Sequence, residues 1–345
     1  MNYLIIGVIL LTIAVSAGTL YKHKNNKVKS VSIQSFGLGT ILQLTSYGKN
    51  SDAALEEAVS RIGEIDDEMS FFKEDSDISK INKNSGSKQN FVKVSDDTYY
   101  VIKRAVEYGE LSDGAIDLTV RPILDLWGFG KEKHKAPEVD DIRNLTKLVS
   151  YKDILFNAKE NSIGLKNKFQ SIDVNCIAKG YAADEAKKVL VKHKIKNAII
   201  NLGGNVYAHG SNVDGSPWVI GIQHPMKDRG NYVGHISVKD KSVVTSGDYE
   251  KFLIYNNEKY HHIINPKTGY PVKNKIISTT IISDYSIDGD ALTTCLYVMG
   301  VENGLKFIEK MNNIDAIIIT EDKLIYATEN IKDAFVISDN EFAWG

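Results

Sequence analysis

Hydrophobic and polar positions divide the chain into three unequal pieces. Residues 3–20 form an 18-residue stretch without a charge, rich in Ile, Leu and Val, and at about 1.5 Å per residue it is just long enough to cross a hydrocarbon core. Residues 1–20 are therefore predicted to be a signal or membrane anchor. A polar tether over residues 21–30 follows, carrying Lys22, Lys24, Lys27 and Lys29. No lysine precedes the apolar stretch, an asymmetry that favours a cytoplasmic carboxyl-terminal portion, while the small residues Ala14-Val15-Ser16-Ala17 offer a peptidase site. No second linker appears after Val31, so residues 31–345 are predicted to be one domain.

Within that domain the apolar period changes repeatedly. Leu55, Val59, Ile62, Ile65 and Met69 recur at helical spacing, and a second amphipathic stretch spans residues 98–111. Residues 180–194 read as a helix, followed by a buried strand over residues 197–202 that ends in Gly203-Gly204. A hairpin is predicted over residues 252–260, a helix over 290–300, another near 305–311, and short apolar strands over 316–319, 324–327 and 334–337. This alternation predicts an α+β fold, mixed sheets with packing helices. The charged stretch 131–144, with Pro137, reads as a surface excursion.

Composition narrows the function. At 345 residues and 43% hydrophobic content the chain can bury a real core. Its 42 basic and 44 acidic residues leave a net charge of −2, and only five of the basic residues are Arg. Neither number supports a nucleic-acid partner. Two cysteines, Cys176 and Cys295, permit one disulfide and no zinc ribbon. A Walker loop, a G-x-G-x-x-G turn and an H-E-x-x-H helix are all absent from the sequence.

Candidate chemistry lies in short polar clusters. Asp290 and Thr294 stand four apart on a helix, so their oxygens share a face suited to a hard cation such as Mg²⁺. The same spacing fits Asp290, or Asp288 before it, as a helix cap. In Ser171-Ile172-Asp173-Val174-Asn175-Cys176-Ile177-Ala178-Lys179-Gly180, an acid and a lysine flank an irregular loop that opens a helix, which reads either as a surface turn or as a phosphate or metal loop. Asn201-Leu202-Gly203-Gly204-Asn205 puts a tight turn at a strand end. Thr245-Ser246-Gly247-Asp248-Tyr249 and His261-His262-Ile263-Ile264-Asn265-Pro266-Lys267-Thr268-Gly269 read as two arms of one site. Neighbouring histidines alternate faces on a strand, so one of the pair turns inward. Ser246 lacks a G-x-S-x-G elbow, which disfavours a serine hydrolase.

In this order the clusters resemble the ApbE family, the FAD:protein FMN transferases, from about Val31 onward. Met69-Ser70-Phe71-Phe72 with Ser76-Asp77-Ile78-Ser79-Lys80-Ile81-Asn82 is similar to the family's early flavin-pocket segment. Gly114-Ala115-Ile116-Asp117-Leu118-Thr119-Val120-Arg121-Pro122 through Trp127-Gly128-Phe129-Gly130 is similar to its second. The resemblance implies Mg²⁺ held by Asp290, Thr294 and the backbone carbonyl of Cys176. It implies FAD as substrate, contacted by Met69, Ala115, Ile116, Asp117, Asp173, Lys179 and Ile264. His262, with Ser246 as its hydrogen-bond partner, is the implied proton acceptor, and Asp290 is a rival base. The implied reaction transfers FMN from FAD to a Thr or Ser hydroxyl of an acceptor protein carrying a motif like Asp-Gly-x-Ser/Thr-Gly-Ala-Ser/Thr, with AMP departing. Attack by water, giving FMN and AMP, and a flavin-carrying electron-transfer module are the alternatives. Family habit places the catalytic domain outside the membrane. The sequence departs from the family pattern at Asn175-Cys176, where small residues are usual, and at Asn265, where Asp is usual.

Overall fold

The structure is a computed structural model that describes residues 29–87, 90–129 and 136–345. The predicted anchor and nearly all of the tether lie outside the described residues. Among the described residues, no helix is long and apolar enough to cross a membrane.

A nine-stranded sheet is the spine of the fold. Its strands are β1 (Ser30–Gly37), β2 (Thr40–Tyr47), β3 (Asn197–Leu202), β4 (Asn205–Gly210), β5 (Lys241–Gly247), β6 (Ile276–Ser283), β7 (Asp315–Thr320), β8 (Leu324–Ala327) and β9 (Ala343–Trp344), and their order in space follows their order in the chain. Every neighbouring pair is antiparallel except β8 and β9. Tight turns set the register. Leu38 and Gly39 both take positive φ between β1 and β2, as do Gly203 and Gly204 between β3 and β4, the twist that two-residue hairpin loops require.

Four long helices lie on one side: α1 (Ser51–Met69), α3 (Ala178–Lys192) and α4 (Ser286–Met299) pack on the sheet, and α2 (Asp96–Leu111) packs on α1 and α4. In α1, the predicted apolar stripe faces inward, with Leu55, Ile62, Ile65 and Met69 all buried. Ser95 starts α2 by accepting the Thr98 N–H at 3.0 Å, a standard N-cap. On the opposite face a small sheet of Trp218–Gln223, Tyr232–Val238 and Phe335–Ile337 packs on the spine. Strand alternation explains the unbroken apolar run in β7: Ala316 and Ile318 enter the helix-side core, and Ile317 and Ile319 the other.

Three sequence expectations change. The helix expected to begin at Asp290 begins at Ser286, because a buried side chain from α3, described below, supplies its cap. The predicted surface excursion includes a helix, Val139–Thr146, whose Ile142 joins Ile123, Trp127, Leu253 and Ile264 in a third apolar cluster; Lys131 to Lys135 lie outside the described residues. The helix expected near 305–311 runs over Val301–Ile308.

Candidate active site

The site forms where the loop before α3, the second turn of α4 and the arms around β5 converge. Asp290 is 3% exposed. One carboxylate oxygen accepts the Gly180 N–H at 2.9 Å, and the other lies 3.5 Å from Lys179 Nζ. Lys179 Nζ also donates to the Asn175 carbonyl at 2.8 Å. Burial works against the charge on Lys179, but Asp290 and Glu250 outweigh it and hold the ammonium above its ordinary pKa. The lysine therefore stays cationic beside Asp290 and Glu250.

Asp173 stands at the other end of the same loop, accepting the Asn175 N–H at 2.9 Å and pairing with Arg121 at 3.2 Å. Burial pushes its carboxyl up despite those partners. Arg121 in turn lies over the Phe71 ring, 3.5 Å from its centroid, and Phe71 packs against Phe72 with centroids 3.9 Å apart. Phe72 is 81% exposed, so it presents an aromatic face beside the acidic loop. Met69, the residue singled out in this segment, is buried in the main core, as are Ala115 and Ile116. Asp117 is fully engaged: it accepts from Thr119 N and Oγ1 at 2.8 and 2.6 Å and from Tyr151 N at 2.7 Å. Its oxygens organise the turn between α2 and the short helix Leu118–Val120.

The two histidines separate as strand alternation requires. His261 is buried, with Nε2 bonded to the Val272 carbonyl at 2.9 Å and Nδ1 accepting the Ile263 N–H at 3.2 Å. His262 is half-buried, and both its backbone N–H and its Nδ1 reach the Lys251 carbonyl at 3.0 Å. A carbonyl can only accept, so Nδ1 carries the proton and Nε2 keeps its lone pair. Burial pushes the imidazole down to about 4. The expected pairing of His262 with Ser246 is not what forms. Ser246 Oγ bonds Thr293 Oγ1 at 2.9 Å, because alternation along β5 turns Ser246 toward α4. Ile264 belongs to the third apolar cluster and bridges to Pro271, while Asn265 closes its turn by accepting the Lys267 N–H at 2.9 Å.

Neither proposed cap of α4 caps it. Asp288 faces α2, where Arg104 and Tyr108 donate to it at 2.9 and 2.6 Å, and Asp290 faces Gly180. The cap is Asp184 of α3, which accepts from Ser286 N at 2.8 Å and Ile287 N at 2.9 Å. Sequence reasoning missed Asp184, Arg121, Glu250 and Phe72. Arg121 and Phe72 fell inside the quoted motifs; Asp184 and Glu250 carry no local signal.

Among the described residues, no group of three or more His, Cys, Asp or Glu side chains is arranged to hold a metal ion. A cation at Asp290 would have to draw its remaining ligands from hydroxyl and carbonyl oxygens, the chemistry that the Thr294 side chain and the backbone at Cys176 offer and that suits a hard ion. The Cys176 thiol is free, and burial pushes it well above its usual range, with Asp173 and Asp290 adding to the effect. It is a neutral neighbour and not a soft ligand. Two surface grooves, of about 450 Å³ beside the Lys267–Tyr270 turn and about 330 Å³ against β8 and β9, are lined by none of Asp290, Lys179 or His262. The site is defined by converging polar groups.

A retained lysine, a buried carboxylate and an imidazole with a free nitrogen around one loop are the equipment of an enzyme acting on an anionic substrate. The chain belongs to the ApbE family, whose model matches residues 38–318. It is 33% identical over 300 residues to the FAD:protein FMN transferase of Klebsiella pneumoniae, covering 87% of this chain and 91% of that one. The ApbE protein of Thermotoga maritima superimposes with a TM-score of 0.82 at 32% identity, and the flavin transferase ApbE of Vibrio cholerae with 0.79 at 28%. Each alignment covers 89% of this chain and 99% of the other.

Proposed function

We propose that this enzyme transfers the FMN portion of FAD to a Thr or Ser hydroxyl of an acceptor protein, with Mg²⁺ required and AMP released. The observation that carries the reading is the junction of Asp290 with Lys179 and the Gly180 N–H at the start of α3. It gathers a carboxylate, a cation and a helix amino terminus at one point, the combination a pyrophosphate needs. Asp290, the Thr294 hydroxyl and the Cys176 carbonyl would hold the ion. When bound, Mg²⁺ supplies charge neutralisation of the pyrophosphate oxygens.

The chain's own groups do the rest. Lys179 offsets phosphate charge beside Asp290. Phe72 offers a stacking face to the isoalloxazine, and Arg121 with Asp173 forms the polar edge below it. His262 Nε2, neutral and unprotonated, accepts the proton of the acceptor hydroxyl as its oxygen bonds the FMN-side phosphorus; the anhydride P–O bond breaks and the bridging oxygen leaves with AMP. Acceptors would carry the Asp-Gly-x-Ser/Thr-Gly-Ala-Ser/Thr type of motif, and the amino-terminal apolar segment would tie the enzyme to a membrane, with the catalytic domain outside as the family resemblance implies and against the lysine asymmetry of its flank.

Incubation of the protein with FAD, Mg²⁺ and a peptide bearing that motif tests the reading by mass spectrometry. Peptide gaining one FMN is the expected result. Free FMN and AMP with unmodified peptide would make the protein a hydrolase, and intact FAD would make it a carrier.

A further inference from the structure

The residues assigned to the metal come from α4 and from the loop that opens α3, far apart in the chain, and one residue outside the site joins the two elements. Gly180 and Asp184 lie four apart on α3, on the face that meets α4. At Gly180 the helices touch: a Cβ there would sit 2.3 Å from the Ser286 carbonyl oxygen, and the Gly180 N–H is bonded to Asp290. One turn along, Asp184 takes the first two free N–H groups of α4, those of Ser286 and Ile287. Tyr285, at the cap position of α4, contributes no side-chain bond. The two contacts together pin the start of α4 to α3, and Asp290, one turn along α4, is bonded to α3 at Gly180.

We propose that Asp184 is a positioning residue for the cation site: by capping α4 from α3 it sets the distance between the Asp290–Thr294 face and the Cys176 carbonyl. The assignment rests on the Mg²⁺ reading above. It is distinct from general anchoring of α4, because Asp288 already ties that helix to α2 through Arg104 and Tyr108.

The test uses the full chain and the variants Asp184→Ala, Asp184→Asn and Arg104→Ala. Mg²⁺ binding is measured by calorimetry with ADP present, which offers a pyrophosphate but no flavin to transfer, and thermal unfolding is followed without metal. Loss of a residue that orients metal ligands typically weakens affinity about 10- to 100-fold, and that loss is expected for Asp184→Ala. Asp184→Asn keeps one acceptor oxygen and should fall between it and wild type, which preserves the test if the alanine variant does not fold. Arg104→Ala should unfold at lower temperature with Mg²⁺ affinity unchanged. In the transfer assay, the Asp184 variants should need proportionately more Mg²⁺ for half-maximal rate and recover at saturation. Wild-type Mg²⁺ affinity in both Asp184 variants, or an equal loss in Arg104→Ala, overturns the assignment while leaving the functional reading intact. Absence of Mg²⁺ binding by the wild-type protein overturns the reading itself.

Discussion

At the scale of single residues, His262 is set up as a base by an acceptor that carries no charge. The Lys251 carbonyl fixes its tautomer, and burial lowers its pKa to about 4. The sign follows directly: a depressed imidazole pKa keeps the neutral form down to that value, so the acidic limb of the pH–rate profile should fall near pH 4 and not near the ordinary value of about 6.5. His262→Gln should lower the transfer rate by about 10² to 10⁴-fold across that range, read in the peptide assay. An unchanged profile in His262→Gln would shift the base to Asp290. Asp290→Ala should reduce transfer by more than about 100-fold, since it removes the one buried carboxylate of the donor set and frees Lys179 from its partner; full activity of that variant in Mg²⁺ would refute its role.

At the scale of elements, α3 and α4 are held in register by an absent side chain and a buried one. Gly180 is required by close approach: its α-carbon faces the Ser286 carbonyl with no room for a methyl group. Gly180→Ala should cost about 1–3 kcal/mol through overpacking and, by lifting α4 off α3, should lower transfer activity as well; chemical denaturation and the peptide assay check the two effects separately. The hairpin before His262 is built as locally as α4 is not. Asn256 and Asn257 both take positive φ between strands Phe252–Tyr255 and Glu258–His261, which the Asn side chain tolerates and a β-branched residue does not. Asn257→Val should therefore destabilise the hairpin and loosen the Lys251 contact that orients His262.

At the scale of the whole molecule, the nine-stranded sheet carries helices on one face and a second sheet on the other, and each face packs a large apolar cluster. With two apolar cores of this size, the fold is expected to hold without a metal. Chelation of divalent cations should stop transfer while leaving circular dichroism and the unfolding midpoint in place, an outcome that unfolding on chelation would contradict. The period of the chain determined many of the elements: the α1 stripe, α2, the strand before Gly203 and the hairpin over residues 252–260 were all legible, because helix and strand repeats are written within a few residues and burial enforces them. The order of the polar clusters likewise disclosed the family. What tertiary structure alone decided is which groups meet. Asp184 caps a helix that begins 102 residues later, Gly180 reaches Asp290 across 110, His262 turns to a carbonyl in place of Ser246, and Asp117 spends its oxygens on a turn. No local pattern encodes such pairings, since they arise from how α3, α4 and β5 pack, and packing is settled by the summed burial of the entire sheet.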